Sequence, residues 1–369
     1  MNREEAMEQG MEIHETQHSM KRRSPWHDYC KKNTYMLTLV VEGRMPLLGE
    51  LKGNADAAPR SADAPRIELS PLSLTILNEE LQKINRFYPM VEVWKACIMP
   101  DHIHLIVRVK EDMPKGKHLR QVVRGFKTGC SRAWWKLNPI TSGKAEGTGA
   151  GKAEGMGAGK TEGMGAHTQA LSPATVPSAF PEVLRPVLFE PGYNDKILLH
   201  EGQLDTWKHY LDDNPRRLLL KRQNPQLFTV IHGMEVAGRS CHVTGNRFLL
   251  DIPDKMAVIV HRRYTDEECA RLREEWLACG ERGGVLVSAS IAPKEKEVLR
   301  EALNRGYRII LLRENGFPKL YKPSGESFDA CSEGLLLQVS PWEYHMERKT
   351  ITRSECLELN AMAEKIAEG

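Results

Sequence analysis

Met99-Pro100-Asp101-His102-Ile103-His104-Leu105-Ile106-Val107 is the stretch on which the reading of this chain turns. Met99-Pro100-Asp101 has turn chemistry, with apolar, β-branched runs on either side. The pattern predicts two strands, Met90–Ile98 and His102–Val109, joined through that turn. Side chains two apart on a strand share a face, so His102 and His104 project together while Ile103 and Leu105 turn toward a core. Upstream, a strand is expected at Thr34–Val41 and a helix at Ser73–Phe87. Downstream, Leu119, Val122, Val123, Phe126, Cys130, Ala133, Trp134 and Leu137 recur at helical spacing and predict a helix from about Lys117 to Leu137.

Farther out, Gly143–Ala166 reads as three near-copies of an eight-residue Gly/Ala unit, and Ser172–Pro181 continues with prolines and small residues. Neither has an apolar face to bury, so residues 141–181 are expected to form a flexible low-complexity insert. Asn54–Pro65 reads as a shorter loop of the same sort. Gln203–Asp213 suits a short helix with Leu204, Trp207 and Leu211 on one side, and Pro215 is expected to stop it. Past Leu227–Arg247, where a boundary is expected, the texture changes. Strands at Met256–His261, Gly284–Ser290, Arg308–Leu312 and Leu335–Val339 alternate with helices at Thr265–Gly280 and Lys294–Asn304. That alternation signals a parallel α/β sheet.

Composition bounds the classes open to the chain. Its 369 residues, 41% hydrophobic and 27% charged, suffice for two buried cores. No apolar run approaches the roughly 20 residues a membrane span needs. Met1–Met20 is polar and acidic, unlike a secretory signal, and eight scattered cysteines without a Cys-x-x-Cys pair fit a reducing compartment. A cytoplasmic protein with no membrane role is expected. The net charge of +3 hides an asymmetry: residues 101–140 hold nine Lys/Arg against three Asp/Glu, an excess of six, while residues 251–300 hold nine against ten. Such a bias points to a polyanionic partner.

Two imidazoles side by side can hold one divalent metal and leave positions open for a substrate oxygen. A bare His-x-His also occurs on surfaces and in cores with no metal role. Tyr210 has Asn214 four residues on, on the same helical face. A tyrosine can act as a nucleophile where a metal polarises the electrophile, and can equally just pack, here beside Trp207. Arg120, Arg124 and Lys127 share a helix face, and Arg216 and Arg217 follow the tyrosine; phosphate neutralisation and a solvated face are both open to them. Other His-x-His chemistries fit poorly. Ile106 stands where a histidine-triad hydrolase needs its third histidine, and only His242-Val243-Thr244 offers the unit that two-histidine phosphoesterases need twice.

Taken together, Met99–Val107, the basic helix and Tyr210-Leu211-Asp212-Asp213-Asn214-Pro215 resemble single-tyrosine HUH (His-hydrophobic-His) transposases, the insertion-sequence 200/605 group and its REP-associated relatives. Tyr35-Met36-Leu37-Thr38, Gly43-Arg44-Met45-Pro46-Leu47 and Phe189-Glu190-Pro191-Gly192-Tyr193-Asn194-Asp195 carry the likeness further. The resemblance implies an α+β amino-terminal domain, an antiparallel, ferredoxin-like sheet flanked by helices, over residues 34–226 behind a polar tail at 1–33. It implies cleavage and rejoining of single-stranded, hairpin-containing DNA through a 5′-phosphotyrosine. Tyr210 would be the nucleophile and His102, His104 and Asn214 the ligands of Mg²⁺ or Mn²⁺. A homodimer is also implied, with the long insert letting the tyrosine helix serve a partner subunit.

The carboxy-terminal part, residues 240–369, is similar to the Rossmann-like domains of DprA-type and lysine-decarboxylase-like proteins, without a glycine-rich signature. Ser288, Ser290 and backbone amides near Lys294, where a strand gives way to a helix, are the candidate lining of a phosphate or ligand cleft; alternatively Ser290 and Pro293 simply start that helix.

Overall fold

The computed structural model describes residue 8 and residues 27–139, 186–346 and 350–369. The insert at 141–181 lies outside the described residues, as does most of the tail at 1–33. Two compact units emerge: Met1–Gly49 with Leu69–Glu201, and Glu50–Glu68 with Gly202–Gly369.

The first unit carries β1 (Asn33–Val40). A two-stranded ribbon, β2 (Gly49–Lys52) and β3 (Arg66–Leu69), follows in the chain. Helical run α1 starts at Pro71–Thr75, passes through a π-helical turn at Ile76–Glu80 and ends at Leu81–Phe87. Its start is fixed by Ser70, whose side chain accepts from the Ser73 amide, and by Pro71, whose missing N–H costs nothing there. β4 (Val91–Met99) and β5 (His102–Val109) form the expected hairpin, followed by α2 (Leu119–Leu137) and β6 (Asn194–Ile197). The four-stranded sheet is antiparallel throughout, in the order β4-β5-β1-β6.

Alternation on β5 works as the spacing requires. Ile103, Leu105, Val107 and Val109 join Leu72, Ile76 and Ile84 of α1 and Leu119, Val122 and Phe126 of α2 in one core. Each such side chain contributes roughly 1.5–3 kcal/mol on burial. The same pleat puts His102 and His104 on the other face.

In the second unit α3 (Gln203–Gln223) leads to hairpin β7 (Ile231–Val236) and β8 (Arg239–Gly245). Then come β9 (Lys255–Ala257), α4 (Asp266–Glu281), β10 (Val285–Ser288), α5 (Pro293–Asn304), β11 (Arg308–Leu312), α6 (Glu326–Ser332), β12 (Leu336–Ser340) and α7 (Arg353–Glu368). The six strands run β7-β8-β12-β11-β10-β9. β9 to β12 are parallel as expected, but β8 pairs antiparallel with β12 and β7 with β8, so the sheet is mixed. Successive residues feed opposite cores: Val285, Val287, Ile310 and Val339 pack with α7, whereas Leu286, Ile309 and Leu336 pack with α4, α5 and α6. Both faces are covered, which is why the strands read as continuous apolar runs.

One expectation is corrected here. Pro215 does not end the tyrosine helix, since α3 runs through it to Gln223. The proline removes one hydrogen bond, but Leu218 and Leu220 beyond it are buried, and that burial favours continuing the helix. The two compact units divide between Glu201 and Gly202, so α3 belongs with the second. Leu220 joins Phe228, Val258 and Phe328 in a core of the second unit, and the Arg217 guanidinium lies 3.6 Å from the Phe328 ring centre. Among the described residues no helix is long and apolar enough to cross a membrane.

Candidate metal centre and its surroundings

His102 opens β5 and His104 follows on the same face, opposite Thr38 of β1 and Cys97 of β4. Their Nε2 atoms stand 3.1 Å apart, with the rings edge to face. Each outer nitrogen is anchored. His102 Nδ1 lies 2.6 Å from Asp101 Oδ1, and His104 Nδ1 lies 2.9 Å from Thr38 Oγ1. Arg44 donates to the other Asp101 oxygen at 3.1 Å. Arg44 sits in the left-handed region at φ 59°, unusual for a side chain of its size and held at the edge of this cluster.

Where both Nδ1 atoms donate, to Asp101 and to Thr38, a lone pair is left on each Nε2. Two lone pairs at that distance repel unless a proton or a cation lies between them. Burial above all, with Lys196 nearby, holds His104 well below the ordinary imidazole range, so it stays neutral, the form a metal ligates. Burial pushes the Asp101 carboxyl up, but the hydrogen bond with His102 and the nearby Arg44 outweigh it and hold the group well below the usual carboxylate range. The anchor is therefore an anion.

Nitrogen ligands at about 2.1 Å on adjacent positions of an octahedral ion stand roughly 3 Å apart, so the pair fits a six-coordinate divalent ion. Among the described residues no group of three His, Cys, Asp or Glu side chains is arranged to hold a metal. Asn214 lies on α3 of the second unit. It is buried, and its Nδ2 has no hydrogen-bond partner among the described residues. Amide oxygen and nitrogen exchange by a flip, so this atom is equally a free oxygen. Tyr210 lies one turn earlier, half-buried, with the Arg217 guanidinium 5.7 Å from its ring centre. The stretch of α3 on which the sequence places both residues thus remains helical.

The basic residues divide sharply. Arg120 and Arg124 of α2 are exposed and make no side-chain hydrogen bond or ion pair among the described residues. Lys127 donates to the carbonyls of Glu190 and Gly192, tying the segment before β6 to α2, and burial lowers its ammonium from the ordinary range. Arg216 pairs with Asp329 at 3.1 Å and with Asp213, while Arg217 is buried and stacked on Phe328.

The expected cleft at Ser288, Ser290 and Lys294 is filled from within. Ser288 is fully buried; its hydroxyl donates to the Val258 carbonyl and accepts from the Ser290 amide. Three amides around this turn already have an acceptor. Glu295, only 2% exposed, accepts from Val260, Ile291 and Ala292, and Lys294 pairs with Asp266. The three helices linking the parallel strands also share one face, so no reversal of winding opens a crevice between those strands. Sequence reading missed Asp101, Arg44 and Thr38 as anchors. Asp101 adjoins His102 in the chain, whereas only the pairing of β1 with β5 and the loop after β1 bring Thr38 and Arg44 to the cluster.

No family model matches the chain, and no curated protein matches it. Among solved structures it is similar to DNA processing protein A from Helicobacter pylori, described for its single-stranded DNA binding mode. That likeness has a TM-score of 0.28 and 18% identity over 38% of this chain, which spans 65% of that protein's length. A REP-associated tyrosine transposase bound to a REP hairpin is similar at TM-score 0.26 and 12% identity, covering 53% of this chain and 73% of that one. A candidate transposase from Deinococcus radiodurans is similar at TM-score 0.24 and 13% identity, covering 53% of this chain and 97% of that one.

Proposed function

We propose that the chain is a metal-dependent transposase that cleaves and rejoins single-stranded, hairpin-containing DNA. The observation that carries this reading is the histidine pair: two converging Nε2 atoms 3.1 Å apart, each with its outer nitrogen tied down. In this reading the first unit is an HUH domain, and His102, His104 and Asn214 would hold Mn²⁺ or Mg²⁺. Imidazole nitrogen favours Mn²⁺ of the two. The ion supplies charge neutralisation at the scissile phosphate.

The chain's own residues do the rest. Tyr210, of the same chain or of a second copy in a homodimer, forms the new P–O bond through its phenolic oxygen. The bond from phosphorus to the 3′-oxygen breaks, leaving a 5′-phosphotyrosine and a 3′-hydroxyl; rejoining reverses both changes. Asp101 holds the His102 ring in place through Nδ1. Against the rival reading, a nucleotide-binding carboxy-terminal module, stands Glu295, which already accepts from the Ile291 and Ala292 amides.

The test incubates the full chain with labelled single-stranded hairpin oligonucleotides from the DNA flanking its gene, plus Mn²⁺. A denaturant-resistant adduct, absent in Tyr210→Phe and His102→Ala, is expected. An adduct that persists in Tyr210→Phe would overturn the assigned nucleophile, and no adduct with any such strand would overturn the catalytic reading.

A further inference from the structure

Arg120, Arg124, Lys127, Ser131 and Trp135 recur three or four residues apart and so form one stripe along α2. Against this stripe lies the segment before β6, with Phe189 and Tyr193, and between them is a pocket of about 400 Å³. Its walls are mostly apolar, and its shape is set by the chain. Lys127 holds the carbonyls of Glu190 and Gly192, the Leu188 amide donates to Ser131, and the Trp135 indole N–H donates to the Pro186 carbonyl at 2.8 Å. The cations at this pocket without a side-chain partner among the described residues are Arg120 and Arg124, one helical turn apart.

An apolar, aromatic-lined slot bordered by two unpaired guanidinium groups matches a flat base attached to phosphates. We propose that this pocket takes one unstacked base of a DNA single strand, with Trp135 as its stacking platform and Arg120 and Arg124 on the adjoining phosphates. The proposal rests on the reading that single-stranded DNA is the partner, and adds a subsite separate from the histidine pair. It requires neither the metal nor Tyr210.

The test is therefore metal-free equilibrium binding of fluorescent single strands to the full chain carrying Tyr210→Phe, which cannot form the adduct. Trp135→Ala is expected to weaken binding about tenfold, and Trp135→Phe to restore most of it. Arg124→Gln is expected to lower the salt slope by about one. In a series of strands each lacking one base, one position should weaken binding by the same factor and show no further loss with Trp135→Ala. Trp135→Ala binding like its parent, or losses that multiply at every abasic position, would overturn the proposal. Free nucleoside monophosphates competing as well as the strand, or a tighter grip on the matching RNA, would overturn the assignment to a DNA strand. An adduct formed by Trp135→Ala in an otherwise unaltered chain would leave the catalytic reading intact whichever way the pocket falls.

Discussion

Two places in this molecule gather polar groups at the end of a β-strand, and the chain treats them in opposite ways. At the start of β5, Asp101 and Thr38 take the outer nitrogens of His102 and His104 and leave the inner pair facing each other. At the end of β10, Glu295 reaches back and takes the backbone amides of Val260, Ile291 and Ala292, so those three donors already have an acceptor. The same division holds for the cations: Arg120 and Arg124 are unpaired, whereas Arg216, Arg217 and Lys294 are engaged within the second unit. A site is marked by polar groups that the fold positions but does not satisfy; residue type alone does not mark it.

The largest effect expected from breaking this contrast is on stability. Glu295→Ala leaves three half-buried amides without an acceptor and should destabilise the second unit by about 3 kcal/mol, read from denaturant unfolding. If the cradle is as closed as the hydrogen bonds indicate, the wild type should show no phosphate-dependent rise in Tm. Next comes Asp101→Asn, which keeps the shape and loses the anion. Mn²⁺ affinity should fall about 10–100-fold, measured by calorimetry, while the core behind β5 is untouched. Smallest is Arg216→Ala. Its ion pairs are partly exposed, so about 0–1 kcal/mol of stability and an unchanged salt slope for strand binding are expected. A fall in that slope would erase the distinction drawn between paired and unpaired cations.

Much of the first unit was legible because its signals are local. Strand pleat and helix spacing placed the histidines on one face and the apolar stripe of α2 on the core. What was hidden depends on partners distant in sequence. The tyrosine helix clusters with the second unit through Leu220, Phe228 and Phe328, contacts spanning more than a hundred residues. The β7–β8 hairpin escaped because its turn, Ala237-Gly238, has positive φ at both positions (51° and 74°), with alanine where asparagine would advertise it. Glu295 escaped for a similar reason. It stands three residues after Ala292, and alanine at the helix start lacks the side-chain oxygen that makes a capping box recognisable.

The central claim is that the first pair of histidines, and no other, holds the ion. A second pair offers the control: His232 and His242 also approach, Nδ1 to Nδ1 at 2.8 Å, but His232 is exposed and Glu343, which holds the far nitrogen of His242, is exposed too. The deciding measurement is pulsed electron paramagnetic resonance of Mn²⁺ added to the full chain, which counts coordinated nitrogens. Two histidine nitrogens are expected in the wild type and in His242→Ala, and none or one in His102→Ala. Two nitrogens surviving in His102→Ala but lost in His242→Ala would place the ion on the second pair and contradict the account.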